Sequence, residues 1–112
     1  MRRIVWFCAI LSIALSAVLT SAADTPPELA LVLEQQRFSP AELRVKANAP
    51  FVLVITNKDK DDGEFEISSL RIEKVIPGSK TLQLNMPALK PGTYEFIDDF
   101  HEKTAKGHIV AE

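Results

Sequence analysis

From residue 29 onward, apolar positions recur at every second residue in short runs, and turn chemistry separates the runs. Leu29, Leu31 and Leu33 alternate with Ala30 and Val32, so both faces of this run are apolar, which predicts an inner strand or one side of a two-sheet core. Leu43 and Val45 alternate with Glu42, Arg44 and Lys46, the pattern of a half-exposed strand. Pro40 belongs at a bend or an edge, where its missing N–H is harmless. After the turn Asn48-Ala49-Pro50 comes Phe51-Val52-Leu53-Val54-Ile55-Thr56-Asn57, the most apolar run beyond residue 24. It is short, rich in β-branched residues and bounded by turn residues, so it predicts a central strand and not a helix.

Lys58 to Gly63 is a charged loop, and alternation resumes at Glu64-Phe65-Glu66-Ile67, with the two glutamates on one face and Phe65 and Ile67 on the other. Ser68 to Ile76 fits a bulged strand, a single helical turn or an extended crossover. Pro77-Gly78 turns the chain, Thr81 to Leu84 alternates again, and Leu89-Lys90-Pro91-Gly92 turns it into Gly92 to Val110, which reads as strand, loop, strand. There is no internal repeat and no long period of helical type. Seven or eight short strands at intervals of about ten residues predict an all-β Greek-key β-sandwich.

Composition changes the picture at the front of the chain. Arg2 and Arg3, the apolar run Ile4 to Leu19 and the small residues Ser21-Ala22-Ala23 together describe a secretory signal peptide over residues 1–23, which leaves one domain over residues 24–112. Cys8 lies inside the apolar run, so it does not suit a lipid anchor, and it leaves with the signal peptide. The remaining 89 residues contain no cysteine, which excludes disulfides, thiol catalysis and any thiolate-bound metal centre. They carry 11 basic and 15 acidic residues, a net charge of −4. That balance speaks against nucleic-acid binding and is compatible with a cation.

The candidate chemistry is acidic. Asp98, Asp99 and His101 sit on the loop between the last two strands, and Glu64 and Glu66 share a strand face. Asp98 and Asp99 also suit turn formation, and on a continued strand they point to opposite sides, so only one of them is a direct ligand. The Asp59 to Glu66 segment lacks the register and flanking helices of a calcium-binding EF-hand. His108 reads as a solvent-facing strand residue and Met86 as core filler. Serine-hydrolase and nucleotide-binding signatures are absent from the sequence.

Phe38-x-Pro40, the strand ending Thr56-Asn57, Glu64-Phe65-Glu66, Pro91-Gly92-x-Tyr94-x-Phe96 and Asp99-Phe100-His101 closing at Gly107 resemble cupredoxin-like domains over almost all of residues 24–112. The chain is similar in particular to the small periplasmic cupredoxin-like proteins that accompany high-affinity iron permeases. The resemblance implies a cupredoxin-type sandwich and aligns Glu64 with the first copper histidine, Asp98 with the copper cysteine, His101 with the second histidine and residues 104–106 with the methionine. Without a thiolate this is no blue-copper centre. An imidazole among carboxylates suits Fe(II), Fe(III), Mn(II) or Cu(II).

The resemblance therefore implies an iron or copper ion held by Glu64, Glu66, Asp98, Asp99 and His101, with Glu73 as a further candidate. It implies a periplasmic protein of an iron uptake system, with a membrane iron permease and a periplasmic iron-binding protein as partners and no membrane insertion of its own. Its part in chemistry is at most an accessory one in ferrous iron oxidation. The alternative is a metal-free module of the same fold that docks on a periplasmic or membrane partner.

Overall fold

A computed structural model describes residues 12–17 and 25–112. The signal peptide expected over residues 1–23 lies, apart from residues 12–17, outside the described residues. No helix among the described residues is long and apolar enough to cross a membrane.

Nine strands occur among the described residues: β1 (Glu28–Glu34), β2 (Arg37–Ser39), β3 (Glu42–Val45), β4 (Phe51–Asn57), β5 (Gly63–Ile67), β6 (Ile72–Ile76), β7 (Thr81–Met86), β8 (Gly92–Asp98) and β9 (Lys106–Ala111). They form two sheets, one ordered β2-β1-β4-β7 and the other β3-β9-β8-β5-β6. The pairs β1–β4 and β3–β9 are parallel and the rest antiparallel. This is the all-β sandwich the alternation predicts. The strand beyond the expected seven or eight is β2, which pairs with β1 before the chain bends at Pro40 and crosses to the other sheet as β3.

Burial follows the pattern that predicts each strand. In β4 the residues Phe51, Leu53, Ile55 and Asn57 point inward, and Val52 is buried as well, as expected of an interior strand flanked by β1 and β7. Between the sheets, Phe38 meets Phe65 and Phe96 edge-on, with ring centroids 6.1 Å and 5.2 Å away. Edge-on contact sets the positive rim of one ring against the negative face of another, so the three rings attract beyond their buried area. Leu31, Leu33, Leu53, Ile55, Ile67, Ile76 and Ile109 complete the layer around them.

Two features of this frame set up the end of the sandwich where β5 begins. Asn57 is buried and donates from its amide to the carbonyls of Asp61 (2.8 Å) and Ile76 (3.0 Å), while its Oδ1 accepts from the Asp59 N–H (3.0 Å). One side chain thereby satisfies three backbone groups of the β4–β5 loop and the end of β6. Ser68–Leu70 forms a 3-10 turn, and Arg71 after it takes a left-handed backbone (φ 55°) that lets β6 return antiparallel to β5. The segment whose pattern left three structures open is thus a turn followed by an edge strand.

Candidate metal site

The alternation of β5 buries Gly63, Phe65 and Ile67 and turns Glu64 and Glu66 to the outer face of the sheet. On one flank, β6 sets Glu73 directly opposite Glu66. On the other flank, β8 pairs Phe65 with Asp98, and the same register carried one residue further brings Asp99 beside Glu64. One carboxylate oxygen from each of Glu64, Glu66, Glu73 and Asp99 lies within 4.8 Å of the others. Like charges directly opposite across a ladder repel, so the arrangement costs free energy unless something neutralises it.

Part of that neutralisation is protonic. The hydrogen bond with Glu73, followed by partial burial and the charges of Glu73, Asp99 and Glu66, pushes the Glu64 carboxyl up to about 7. Ser68 Oγ donates to Glu66 Oε1 at 3.1 Å and fixes a second member. The quartet offers a cation an all-oxygen donor set in which one proton is available for displacement.

Asp98 and His101 form a separate pair, and neither belongs to the quartet. The side chain of Asp98 is fully buried. Its Oδ1 accepts from the Glu64 N–H (2.8 Å) and the Phe100 N–H (3.0 Å), and its Oδ2 lies 2.6 Å from His101 Nδ1. Because a carboxylate only accepts, the imidazole donates at Nδ1. Two ligand atoms at right angles about a metal, each near 2.1 Å from it, stand about 3 Å apart, so the shorter contact is a hydrogen bond and not a coordination pair. With both oxygens engaged by protein donors, Asp98 is not a direct ligand in this conformation.

Of the six residues expected to hold a cation, the structure thus brings together Glu64, Glu66, Glu73 and Asp99 and sets Asp98 and His101 apart as a hydrogen-bonded pair. The two neighbouring aspartates do point to opposite sides, with Asp99 outward and Asp98 inward. The period-2 signal for this lies in β8, where Phe96 and Asp98 share the buried face. His108 is half-exposed, as its strand position implies, and its Nε2 lies 2.9 Å from Glu42 Oε1 in a surface network that continues through Arg44 to Glu112. Gly63 is a residue that sequence reasoning missed. A Cβ there would stand 3.1 Å from Asp98 Oδ2 and 2.6 Å from Leu33 Cδ2, so only glycine leaves room for the buried carboxylate.

The sequence matches the family described as Cupredoxin-like domain over residues 4–111. The chain belongs to the cupredoxin-like domain family. The chain is 32% identical over 87 residues to protein RP394 of Rickettsia prowazekii (strain Madrid E), an alignment that covers 78% of this chain and 70% of that one. Among solved structures it is similar to auracyanin A, a blue copper protein of Chloroflexus aurantiacus, with a TM-score of 0.66 at 16% identity, covering 77% of this chain and 99% of that one. It is likewise similar to the metal-binding domain, solved with Cu(I), of the Cu(I)-exporting P-type ATPase CopA of Streptococcus pneumoniae, with a TM-score of 0.66 at 14% identity over 81% and 91% of the two chains.

These likenesses share the cupredoxin-like fold. The donor chemistry of this member differs from a thiolate copper site: its single cysteine is Cys8, and the carboxylate aligned with the thiolate is spent on hydrogen bonds. A blue-copper centre does not fit these residues. A hard cation does fit the outer quartet, where four oxygen donors converge.

Proposed function

We propose that this cupredoxin-like chain is an exported metal-binding module of an iron uptake system, one that takes iron or Cu(II) on Glu64, Glu66, Glu73 and Asp99 and passes iron to a membrane permease. The observation that carries the reading is the convergence of four carboxylates on one outer face, built from three different elements at a cost in repulsion. Oxygen donors favour ferric over ferrous iron, and among divalent first-row ions the order of affinities favours Cu(II). Such a site makes a bound ferrous ion easier to oxidise by an external acceptor without itself being a catalyst. A surface quartet also suits hand-over, because a partner protein can reach the ion from outside the sheet.

The export compartment, the permease and a periplasmic iron-binding partner are parts of this proposal that rest on the family resemblance of the whole domain. The test is a titration of the metal-free protein with Fe(III) citrate, Cu(II) and Mn(II), followed by calorimetry and thermal melting. A cation that binds only the native state raises the melting temperature. Binding that is lost in the combined variant Glu64→Gln/Glu73→Gln supports the reading; the absence of any shift for all three ions overturns it.

A second reading has its own observation. Phe100 is 52% exposed and follows Asp99 directly, which gives the acidic face an apolar neighbour. A metal-free module would dock a basic partner there, and a partner that binds equally well to chelated and metal-loaded protein would favour it.

A further inference from the structure

We propose that Asp98, clamped by His101, is the positioning residue of the acidic quartet: its buried carboxylate ties β5 to the 3-10 turn Asp99–His101 and so holds Glu64 and Asp99 together against their mutual repulsion. The proposal rests on the metal-site reading above for its consequence in affinity, and on the hydrogen-bond geometry alone for its consequence in the metal-free protein. Asp98 is not a member of the quartet. Yet a single oxygen of it, Oδ1, receives the backbone N–H of Glu64 and the backbone N–H of Phe100, the residue after Asp99. Two of the four quartet members are therefore fixed, through their own or the adjoining peptide, to one atom.

His101 completes the clamp. Its Nδ1 holds Oδ2 at 2.6 Å, which stops the carboxylate from rotating away from its two backbone donors. The backbone that carries the imidazole is itself tied down, since the carbonyl of His101 accepts from the N–H groups of Thr104 (3.1 Å) and Ala105 (2.9 Å). On the interior side, Gly63 leaves the space that the carboxylate occupies. The histidine thus reaches the cation only through Asp98 and the backbone, as outer partners of metal ligands do.

Asp98→Asn, His101→Ala and His101→Gln test this. In the asparagine variant Oδ1 still accepts from both backbone groups, but the side-chain NH2 now donates to Nδ1 of the other imidazole tautomer, so a neutral hydrogen bond replaces the shorter charge-assisted one and the clamp weakens. Calorimetric titration with Cu(II) and with Mn(II) should show affinity weakened about tenfold or more in Asp98→Asn and His101→Ala, the scale typical of outer-shell changes, with partial recovery in His101→Gln, whose amide donates to the carboxylate. The metal-free protein supplies an independent readout. The loss in melting temperature caused by Asp98→Asn should be smaller in an Asp99→Asn background, where the repulsion between Glu64 and Asp99 is removed.

Equal losses in the two backgrounds would make Asp98 an ordinary buried polar residue and overturn the proposal. Unchanged affinity in Asp98→Asn and His101→Ala, in a protein that binds either ion, would also overturn it. If the unmutated protein binds neither of these ions nor Fe(III), the metal reading falls while the melting cycle still decides the positioning claim. Should Asp98→Asn fail to fold, His101→Ala, which keeps both backbone bonds to Asp98, carries the same comparison.

Discussion

The cation binding proposed for the quartet should be a proton-exchange reaction at Glu64, and Glu64→Gln should abolish the exchange. The hydrogen bond with Glu73, burial and neighbouring charges hold the Glu64 carboxyl at about 7 in the folded protein, against 4.5 ordinarily. At pH 6 a group at about 7 is about nine-tenths protonated, whereas at 4.5 it would be about 3% protonated. Binding a cation requires the ionised form, so at pH 6 the protein should release about 0.9 proton per ion, and at pH 8 about 0.1. Competition from that proton weakens affinity about tenfold between pH 8 and pH 6 and about a hundredfold by pH 5. Calorimetry of Mn(II) binding in two buffers of different ionisation enthalpy counts the protons directly. Glu64→Gln, with nothing to release, should bind more weakly and with a nearly flat profile between pH 6 and pH 8. Equal proton release at pH 6 and pH 8, or the same slope in the variant, would refute the reasoning.

Stability without metal should run the other way. The folded state binds the Glu64 proton more tightly than the unfolded state, so this group's stabilisation is fully present below about pH 4.5 and is lost as pH rises through about 7. Thermal melts of the metal-free protein should show that loss, and Glu64→Gln should remove this group's share of it. Gly63→Ala places a methyl group 2.6 Å from Leu33 Cδ2 and 3.1 Å from Asp98 Oδ2 and should cost about 1–3 kcal/mol in urea unfolding. Asn57→Ala strips three backbone partners at a buried position, and about 3 kcal/mol of destabilisation should follow by the same assay; a change under 1 kcal/mol would show that water replaces the amide.

The two-sheet sandwich was legible because burial imposes a period of two on strands with one solvent face, which β3 and β5 display openly, while β4 is marked by a short continuous apolar run bounded by turns. β2 was hidden by its length of three residues, since a single inward Phe38 gives no period to detect. β6 was hidden for a different reason: it is an edge strand with only Ile76 fully buried, so its pattern carries little core signal. The membership of Glu73 in the quartet depends on that strand's register against β5, which the turn at Ser68–Leu70 sets and no local pattern reveals. Asp98 illustrates the converse. Its alignment with a metal-binding position drew attention to it, while the alternation with Phe96 already turned it inward, away from Asp99. Residues of one type, adjacent in sequence, took different roles because strand geometry sends neighbours to opposite faces.

The parallel pairing of β3 with β9 has a consequence for how the molecule comes into being. Among the described residues β3 has β9 as its sole strand partner, and the contact between Glu42 and His108 spans 66 positions of chain. The β5–β6 and β8–β9 pairs of the same sheet are neighbours in sequence and close over short loops, whereas the β3–β9 pair needs a distant closure, whose entropy cost precedes its reward. The β3 edge is therefore the non-local part of the five-stranded sheet, and the quartet, carried by β5, β6 and the turn after β8, does not depend on that edge for its geometry.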